Sequence, residues 1–147
     1  MARQAESPTV LIADDSSDDC LIAMRAWEEC GLGFDVRFVH DGRELLDYLF
    51  RRRKFQGITN LPWPWLILLD LNMPRKDGRK VLVELRSHPE WRHIPTVVFS
   101  DSTKPQDIQI SETLGAYDFI TKPETFEEYQ RIIKELGKMA LTQRGAA

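Results

Sequence analysis

Four stretches of the chain each carry an apolar run into a residue able to do chemistry. Thr9-Val10-Leu11-Ile12-Ala13 runs into Asp14-Asp15, and Leu66-Ile67-Leu68-Leu69 into Asp70. Ile94-Pro95-Thr96-Val97-Val98-Phe99 leads to Ser100, and Tyr117-Asp118-Phe119-Ile120-Thr121 to Lys122. Short continuous aliphatic runs bounded by turn signals read as strands buried on both faces of a parallel sheet. Ligands of open α/β sheets bind in the crevice outside the carboxyl ends of the strands. The two acidic sites, the alcohol and the amine are therefore expected at one edge, although they are far apart in sequence. Any one of them alone is explained as well by a helix cap or a solvated loop residue, since aspartate caps helices often. Four together, each ending a strand, are not.

Clustered carboxylates repel one another and stay ionised together only beside a cation. Aspartate and backbone oxygens are hard ligands suited to Mg2+, which keeps several waters and takes one or two carboxylates. Such a site suits phosphoryl transfer, in which the metal neutralises developing charge and an in-line carboxylate oxygen attacks. Lys122 adds a point charge for a phosphoryl oxygen, and the Ser100 hydroxyl adds one hydrogen bond. The expected product is an aspartyl phosphate on Asp70.

The elements that must hold these residues alternate regularly. Ser16, Ser17 and Asp18 open a helix that stops at Gly31, with Leu21, Ile22, Met24, Ala26 and Trp27 as its apolar positions. Phe34–Val39 alternates as a strand nearer the sheet edge does. Asp41 and Glu44 give a capping signal for a second helix whose inner stripe is Leu45, Leu46, Leu49 and Phe50. Asp77-Gly78 opens a third helix through Val81, Leu82 and Leu85, ending near His88-Pro89. Thr103 and Gln106 suggest a capping box for the fourth, closed by Gly115. Thr125 and Glu128 suggest one for the last, with Tyr129, Ile132, Ile133 and Leu136 as its stripe. The result is an α/β fold, a (βα)5 doubly wound five-stranded parallel sheet, without internal repeat. Residues 1–8 are expected as a flexible N-terminus, 9–141 as one domain and 142–147 as a frayed tail. Arg51–Lys54 opens the one long irregular connection, to Trp65. The four basic residues read first as a solvated helix end whose charge complements the dipole, and second as a phosphate-binding patch.

Composition sets the outer bounds. The chain has 147 residues and a formal net charge of −3, so it fits one domain and lacks the basic face that nucleic-acid binding needs. No apolar run approaches the ~20 residues of a membrane span, and Met1–Pro8 has no apolar core of a signal peptide. A cytoplasmic protein is expected. Cys20 and Cys30 lie on one helix about 15 Å apart, beyond the reach of a disulfide, and are expected as reduced thiols in the core.

Ala13-Asp14-Asp15, Asp70-x-x-Met73-Pro74-x-x-x-Gly78, Ser100 and Lys122-Pro123, in this order, resemble a response-regulator receiver domain of the chemotaxis-regulator, flavodoxin-like type. The resemblance covers residues 9–140. It implies that Asp70 accepts phosphate from a histidine kinase. It implies that Asp15, Asp70 and the backbone carbonyl of Asn72 hold Mg2+, with Asp14 reaching it through water. Ser100 would be the switch hydroxyl, Phe119 the switch aromatic and Lys122 the lysine on the phosphoryl group, with a cis Lys122–Pro123 bond. Residues 51–65, the phrase from Asp70 to Gly78 and Phe119-Ile-Thr-Lys-Pro123 are similar to single-domain regulators that partner phytochrome-type histidine kinases.

On this reading the protein is a single-domain response regulator of a two-component phosphorelay. It catalyses only its own phosphorylation and dephosphorylation, and no output domain follows the last helix. The signal leaves through the surface of the fourth helix, fifth strand and last helix, where Val97, Val98, Tyr117, Phe119 and Tyr129 could support a homodimer. Two departures from the family pattern stand out: Phe119 lacks the commoner tyrosine hydroxyl, and Asp101 follows Ser100 where a small residue is usual. A haloacid-dehalogenase-type phosphatase needs a general acid where Asn72 stands, and a flavin mononucleotide carrier would set its phosphate against Asp14-Asp15. The remaining alternative is a receiver-fold scaffold or dimerisation module that works without phosphorylation, with Asp101 as its motive.

Overall fold

A computed structural model describes residues 7–73 and 77–146 of the chain. Pro74 of the loop motif, and most of the expected flexible N-terminus, lie outside the described residues. The five strands are β1 (Thr9–Ala13), β2 (Asp35–Val39), β3 (Leu66–Leu69), β4 (Thr96–Ser100) and β5 (Asp118–Thr121). They form one parallel sheet in the order β2-β1-β3-β4-β5. The helices between and after them are α1 (Ser17–Glu29), α2 (Gly42–Phe50), α3 (Gly78–Ser87), α4 (Pro105–Thr113) and α5 (Phe126–Ala146). The (βα)5 doubly wound sheet is therefore found.

The two faces of the sheet follow from the period of two along each strand. Val10, Ile12, Leu66, Leu68, Val97 and Phe99 pack with α1 and α5. Leu11, Ala13, Ile67, Leu69 and Val98 point the other way, against α2 and α3. Both faces are covered, so the central strands are apolar without a break. Val97, Val98 and Tyr129, offered above as dimer contacts, are buried in these two layers; of that group only Tyr117 is exposed.

α1 turns a different face inward from the one its large residues suggest. Leu21 is 67% exposed and Ile22 and Met24 are also exposed, whereas Ala23, Ala26 and Trp27 are buried. Two alanines let the helix lie close on the sheet, and Trp27 fills the space beside Phe34 with ring centroids 4.9 Å apart. A Cβ on Gly137 of α5 would sit 3.3 Å from the Trp27 ring, which shows how closely the two helices approach. Cys20 and Cys30 are half-buried rather than core residues, and neither forms a disulfide.

One further expectation is corrected. α4 has Lys104 as N-cap with no side-chain cap, because Pro105 fixes the first helical position; Thr103 does not cap it. α5 runs to Ala146; Ala140 is buried, and the Arg144 guanidinium lies 5.1 Å from the Trp65 ring centre. The basic run after α2 is a solvated helix end, with Arg52, Arg53 and Lys54 exposed and Arg51 half-buried, and each of its charges also has a partner. Arg51, in the left-handed region at φ 57°, donates to the carbonyls of Tyr48 (3.0 Å) and Leu61 (2.8 Å) and stacks on Trp63 at 3.8 Å. Arg53 pairs with Asp47, Lys54 with Glu44, and Arg52 covers Phe50. These partners occupy the charges that a phosphate patch would need.

The inward face of α1 gives a direct test. Trp27→Ala should destabilise the fold by about 3–5 kcal/mol, as aromatic deletions in a core do. Leu21→Ala should stay within about 0.5 kcal/mol, as exposed substitutions do. Urea unfolding followed by circular dichroism measures both, and comparable losses would contradict the orientation described.

Candidate functional site

Sheet register brings the chemistry together. Ala13 is paired with Leu69, so the residues that follow them, Asp14 and Asp70, leave the sheet side by side. The Asp70 N–H donates to the Ala13 carbonyl at 3.1 Å. Ser100 is paired with Thr121, and the Lys122 N–H donates to the Ser100 carbonyl at 2.8 Å. Among the described residues no peptide bond is cis, so the cis Lys122–Pro123 bond implied by the resemblance is not found. The trans chain still delivers the lysine to the acids.

Asp14 and Asp70 are both buried, and each is held at both oxygens. Asp14 Oδ1 accepts from the Ser16 N–H at 2.9 Å and Asp70 Oδ1 from the Asn72 N–H at 3.1 Å. Their Oδ2 atoms accept from the Lys122 ammonium at 2.8 and 3.3 Å. Backbone donors thus fix each carboxylate rotamer and the shared cation offsets part of the burial penalty. Asp15 is exposed, but one ligand atom from each of Asp14, Asp15 and Asp70 lies within 4.8 Å of the others. Three hard oxygens at that spacing fit a divalent cation of the Mg2+ or Mn2+ type.

The proton affinity of Asp70 is displaced. Burial pushes its carboxyl above the ordinary aspartate range, and the Lys122 charge and the Asn72 N–H recover part of that. For Lys122, burial is the largest influence and acts downward. Hydrogen bonds to Asp14 and Asp19, with the charges of Asp70 and Asp14, together outweigh it, so its pKa is raised and it stays an ammonium. The Cys20 thiol donates weakly to the Asp14 carbonyl, and burial with the Asp14 and Asp19 charges pushes it up to about 11. It is therefore a poor nucleophile.

Gly78 allows the start of α3 to lie against the end of β3, and its N–H donates to the Leu71 carbonyl at 3.1 Å. A Cβ there would lie 2.6 Å from the Asp70 carbonyl oxygen and 2.8 Å from the Leu71 Cα. Only a residue without one lets Asp77, which caps α3 through the Arg79 N–H, sit against the end of β3.

Ser100 is fully buried, and its Oγ accepts from the Ser102 N–H at 3.2 Å. Phe119 is half-buried on β5, packed on the α2–α3 side of the core. Asn72 and Asp101 are exposed, with Asp101 outside the acid cluster.

Two features escaped the sequence reading. Asp19 Oδ2 accepts from Lys122 at 2.7 Å, the shortest of the three contacts to that ammonium. The signal was present, because Asp19 stands in the first turn of a helix that opens directly after Asp14-Asp15, at the same end of the sheet. The second is a cluster at the start of α4. Asp107 accepts from Arg79 of α3 at 2.7 Å and from the Ser102 hydroxyl at 2.5 Å. The Ser102 bond, then the Arg79 bond, hold the Asp107 carboxyl below its usual range. Nothing in the sequence links Arg79 to Asp107, since only the packing of two helices brings them together.

Residues 10–134 match the family model described as the response regulator receiver domain. The phosphorylated cyanobacterial phytochrome response regulator RcpA is 32% identical, covers 92% of this chain and 95% of its own, and superposes with a TM-score of 0.83. The response regulator RPA3017 in red light signaling of R. palustris is 37% identical over 88% and 90% of the two chains, with a TM-score of 0.81. A Mn2+-bound form of the response regulator Rcp1 is 28% identical over 88% and 91%, at 0.78.

The raised proton affinity of Asp70 sets a pH dependence. The folded state holds the Asp70 proton to higher pH than the unfolded chain, so stability falls as pH rises from the unfolded value through the folded one. Lys122 remains charged throughout and adds only a constant. In EDTA, the stability gained by Asp70→Asn over the wild type should therefore grow as pH rises above the ordinary aspartate range and then level off. Urea titrations across that range measure it, and a gain that shrinks with pH would reverse the assignment.

Proposed function

The chain belongs to the response regulator receiver domain family, and on that premise we propose that it works as a phosphoryl-accepting switch of two-component signalling, with Asp70 as the acceptor. The observation that carries this reading is the buried Asp70 carboxylate, clamped between the Asn72 N–H and the Lys122 ammonium beside two further acids. A carboxylate oxygen of Asp70 attacks the phosphorus of a phosphohistidine on a histidine kinase. The P–N bond breaks with its electron pair going to the imidazole, and an O–P bond forms. Lys122 offers an ammonium proton to a phosphoryl oxygen, and Ser100 offers its hydroxyl.

Asp15, Asp70 and the Asn72 carbonyl, with Asp14 through water, would hold the divalent ion; when bound, it neutralises charge on the phosphoryl oxygens. Mn2+ in the Rcp1 structure supports a divalent ion here, and Mg2+ is the member of that class we assign. The likeness to a phytochrome response regulator and to a regulator in red light signaling supports a phytochrome-type kinase as donor.

The output surface would be α4, β5 and α5. Phosphorylation draws Ser100 toward Asp70, and the loop carrying Ser102 follows it; Phe119 then repacks without any hydroxyl to bond. α4 suits movement, because Ser111 is its only buried residue. Phosphorylation moves this equilibrium only by its differential stabilisation of the two states. With Val97, Val98 and Tyr129 in the core, a homodimer on this face would rest on the exposed Tyr117 and Ile110.

Incubation with acetyl phosphate and Mg2+ should add one phosphoryl group by intact mass. EDTA or Asp70→Asn should abolish it. No increment with acetyl phosphate or with any tested histidine kinase would favour the scaffold reading, in which the fold acts unphosphorylated. Sedimentation with and without beryllofluoride tests the output surface separately: a dimer that Tyr117→Ala disrupts is expected, and a monomer in both states at high concentration would remove dimerisation.

A further inference from the structure

An ammonium has three protons to donate, and on Lys122 each has a carboxylate partner: Asp19 at 2.7 Å, Asp14 at 2.8 Å and Asp70 at 3.3 Å. The weakest of the three is the one to the phospho-acceptor. The partners also differ in solvation. The side chains of Asp14 and Asp70 are 8% and 11% exposed, whereas that of Asp19 is 32% exposed. Asp14 is bound to its place by the Ser16 N–H as well, while Asp19 reaches Lys122 from the first turn of α1. Asp19 is also outside the set of acids close enough to share a cation, so its charge falls on the lysine and not on an ion.

From this geometry we infer that Asp19 is a positioning residue that acts through Lys122: it holds the ammonium back from Asp70, and so sets the rate at which Asp70 is phosphorylated. The inference rests on the receiver reading above. When a phosphoryl group arrives, Lys122 must turn a proton toward one of its oxygens. The contact with Asp19 is the one to yield, because a carboxylate already one-third exposed regains water on release, whereas Asp14 and Asp70 have little access to it. Until then Asp19 does two things that slow transfer. It occupies the proton that the phosphoryl oxygen needs, and it adds a negative charge beside the path of an anionic donor. The substituted position thereby tunes the exchange without touching the reacting atoms.

The test compares Asp19→Asn with Asp18→Asn. Asp18 is exposed on the same turn and removes the same charge without a Lys122 contact. With acetyl phosphate and Mg2+, Asp19→Asn should phosphorylate roughly two- to fivefold faster than the wild type, the rate equivalent of one part-exposed ion pair. Asp18→Asn should match the wild type, and Asp19→Glu should restore a slow rate. In a Lys122→Gln background the acceleration by Asp19→Asn should vanish, since the effect passes through the lysine. Melting curves for every variant confirm folding, and beryllofluoride titration gives a second readout, with tighter binding expected for Asp19→Asn.

Equal acceleration by Asp18→Asn would make the effect one of general charge and overturn the inference. So would an unchanged or slower Asp19→Asn, or an acceleration that survives in Lys122→Gln. Those failures leave Asp70 phosphorylation intact. A wild type that takes up no phosphate and no beryllofluoride instead removes the receiver reading, and this inference with it.

Discussion

The arrangement depends on one buried ammonium shared among carboxylates. Asp14 and Asp70 stand side by side at the end of adjacent strands, where like charges at such range disfavour a common ionised state. Lys122, from the far side of the sheet, binds both. Removing it would leave two buried acids uncompensated, a larger penalty than the pair itself is worth. Much of the chain serves to deliver that one group. The pairing of Ser100 with Thr121 sets where Lys122 leaves β5, the pairing of Ala13 with Leu69 sets where the acids leave β1 and β3, and backbone N–H groups fix both carboxylates. The absence of a side chain at Gly78 lets the start of α3 lie against the Asp70 carbonyl and the Leu71 backbone.

From this centre a continuous set of hydrogen bonds leads outward. The Ser100 hydroxyl oxygen accepts from the Ser102 N–H, the Ser102 hydroxyl donates to Asp107 on α4, and Asp107 accepts from Arg79 on α3. Thr121, next to Lys122, donates to the Ser102 carbonyl at 3.0 Å. Ser102 is thus bonded to β4, β5 and α4 at once, and any displacement of Ser100 reaches three elements through it. The core on either side of the sheet is closely packed and resists small shifts, whereas α4 is anchored mainly by these polar contacts and by Ser111.

The sheet was legible because the strands are unbroken apolar runs, and the edge of the site was legible because each run ends in a polar residue. Asp14, Asp15 and Asp70 meet as the strand ends imply. The inward face of α1 was not legible because large side chains dominate its apolar pattern, while it is Ala23 and Ala26 that permit close approach to the sheet. Thr103 has the spacing of a capping box, but Pro105 fixes where the helix begins. The basic residues after α2 are solvated as the sequence suggests, but their individual partners were not legible, since only the folded chain brings Leu61, Trp63, Asp47 and Glu44 within their reach. Asp19, directly after the helix-opening Ser16, Ser17 and Asp18, went unread although its place in the first helical turn sets it at the edge that holds the acids. The Arg79–Asp107 pair carried none.

The tryptophans have an uneven distribution whose consequence is optical. Trp65 precedes β3, with its backbone N–H donating to the Thr9 carbonyl at the start of β1, and Trp63 and Trp91 gather near the same end. Trp27 packs on Phe34, just before β2 begins. All four indoles of the chain therefore lie toward the amino ends of the strands, away from the carboxyl ends that hold Asp70. Intrinsic fluorescence will follow denaturation well and will be nearly blind to events at the acid cluster. A spectroscopic reporter of that end of the molecule has to be introduced from outside.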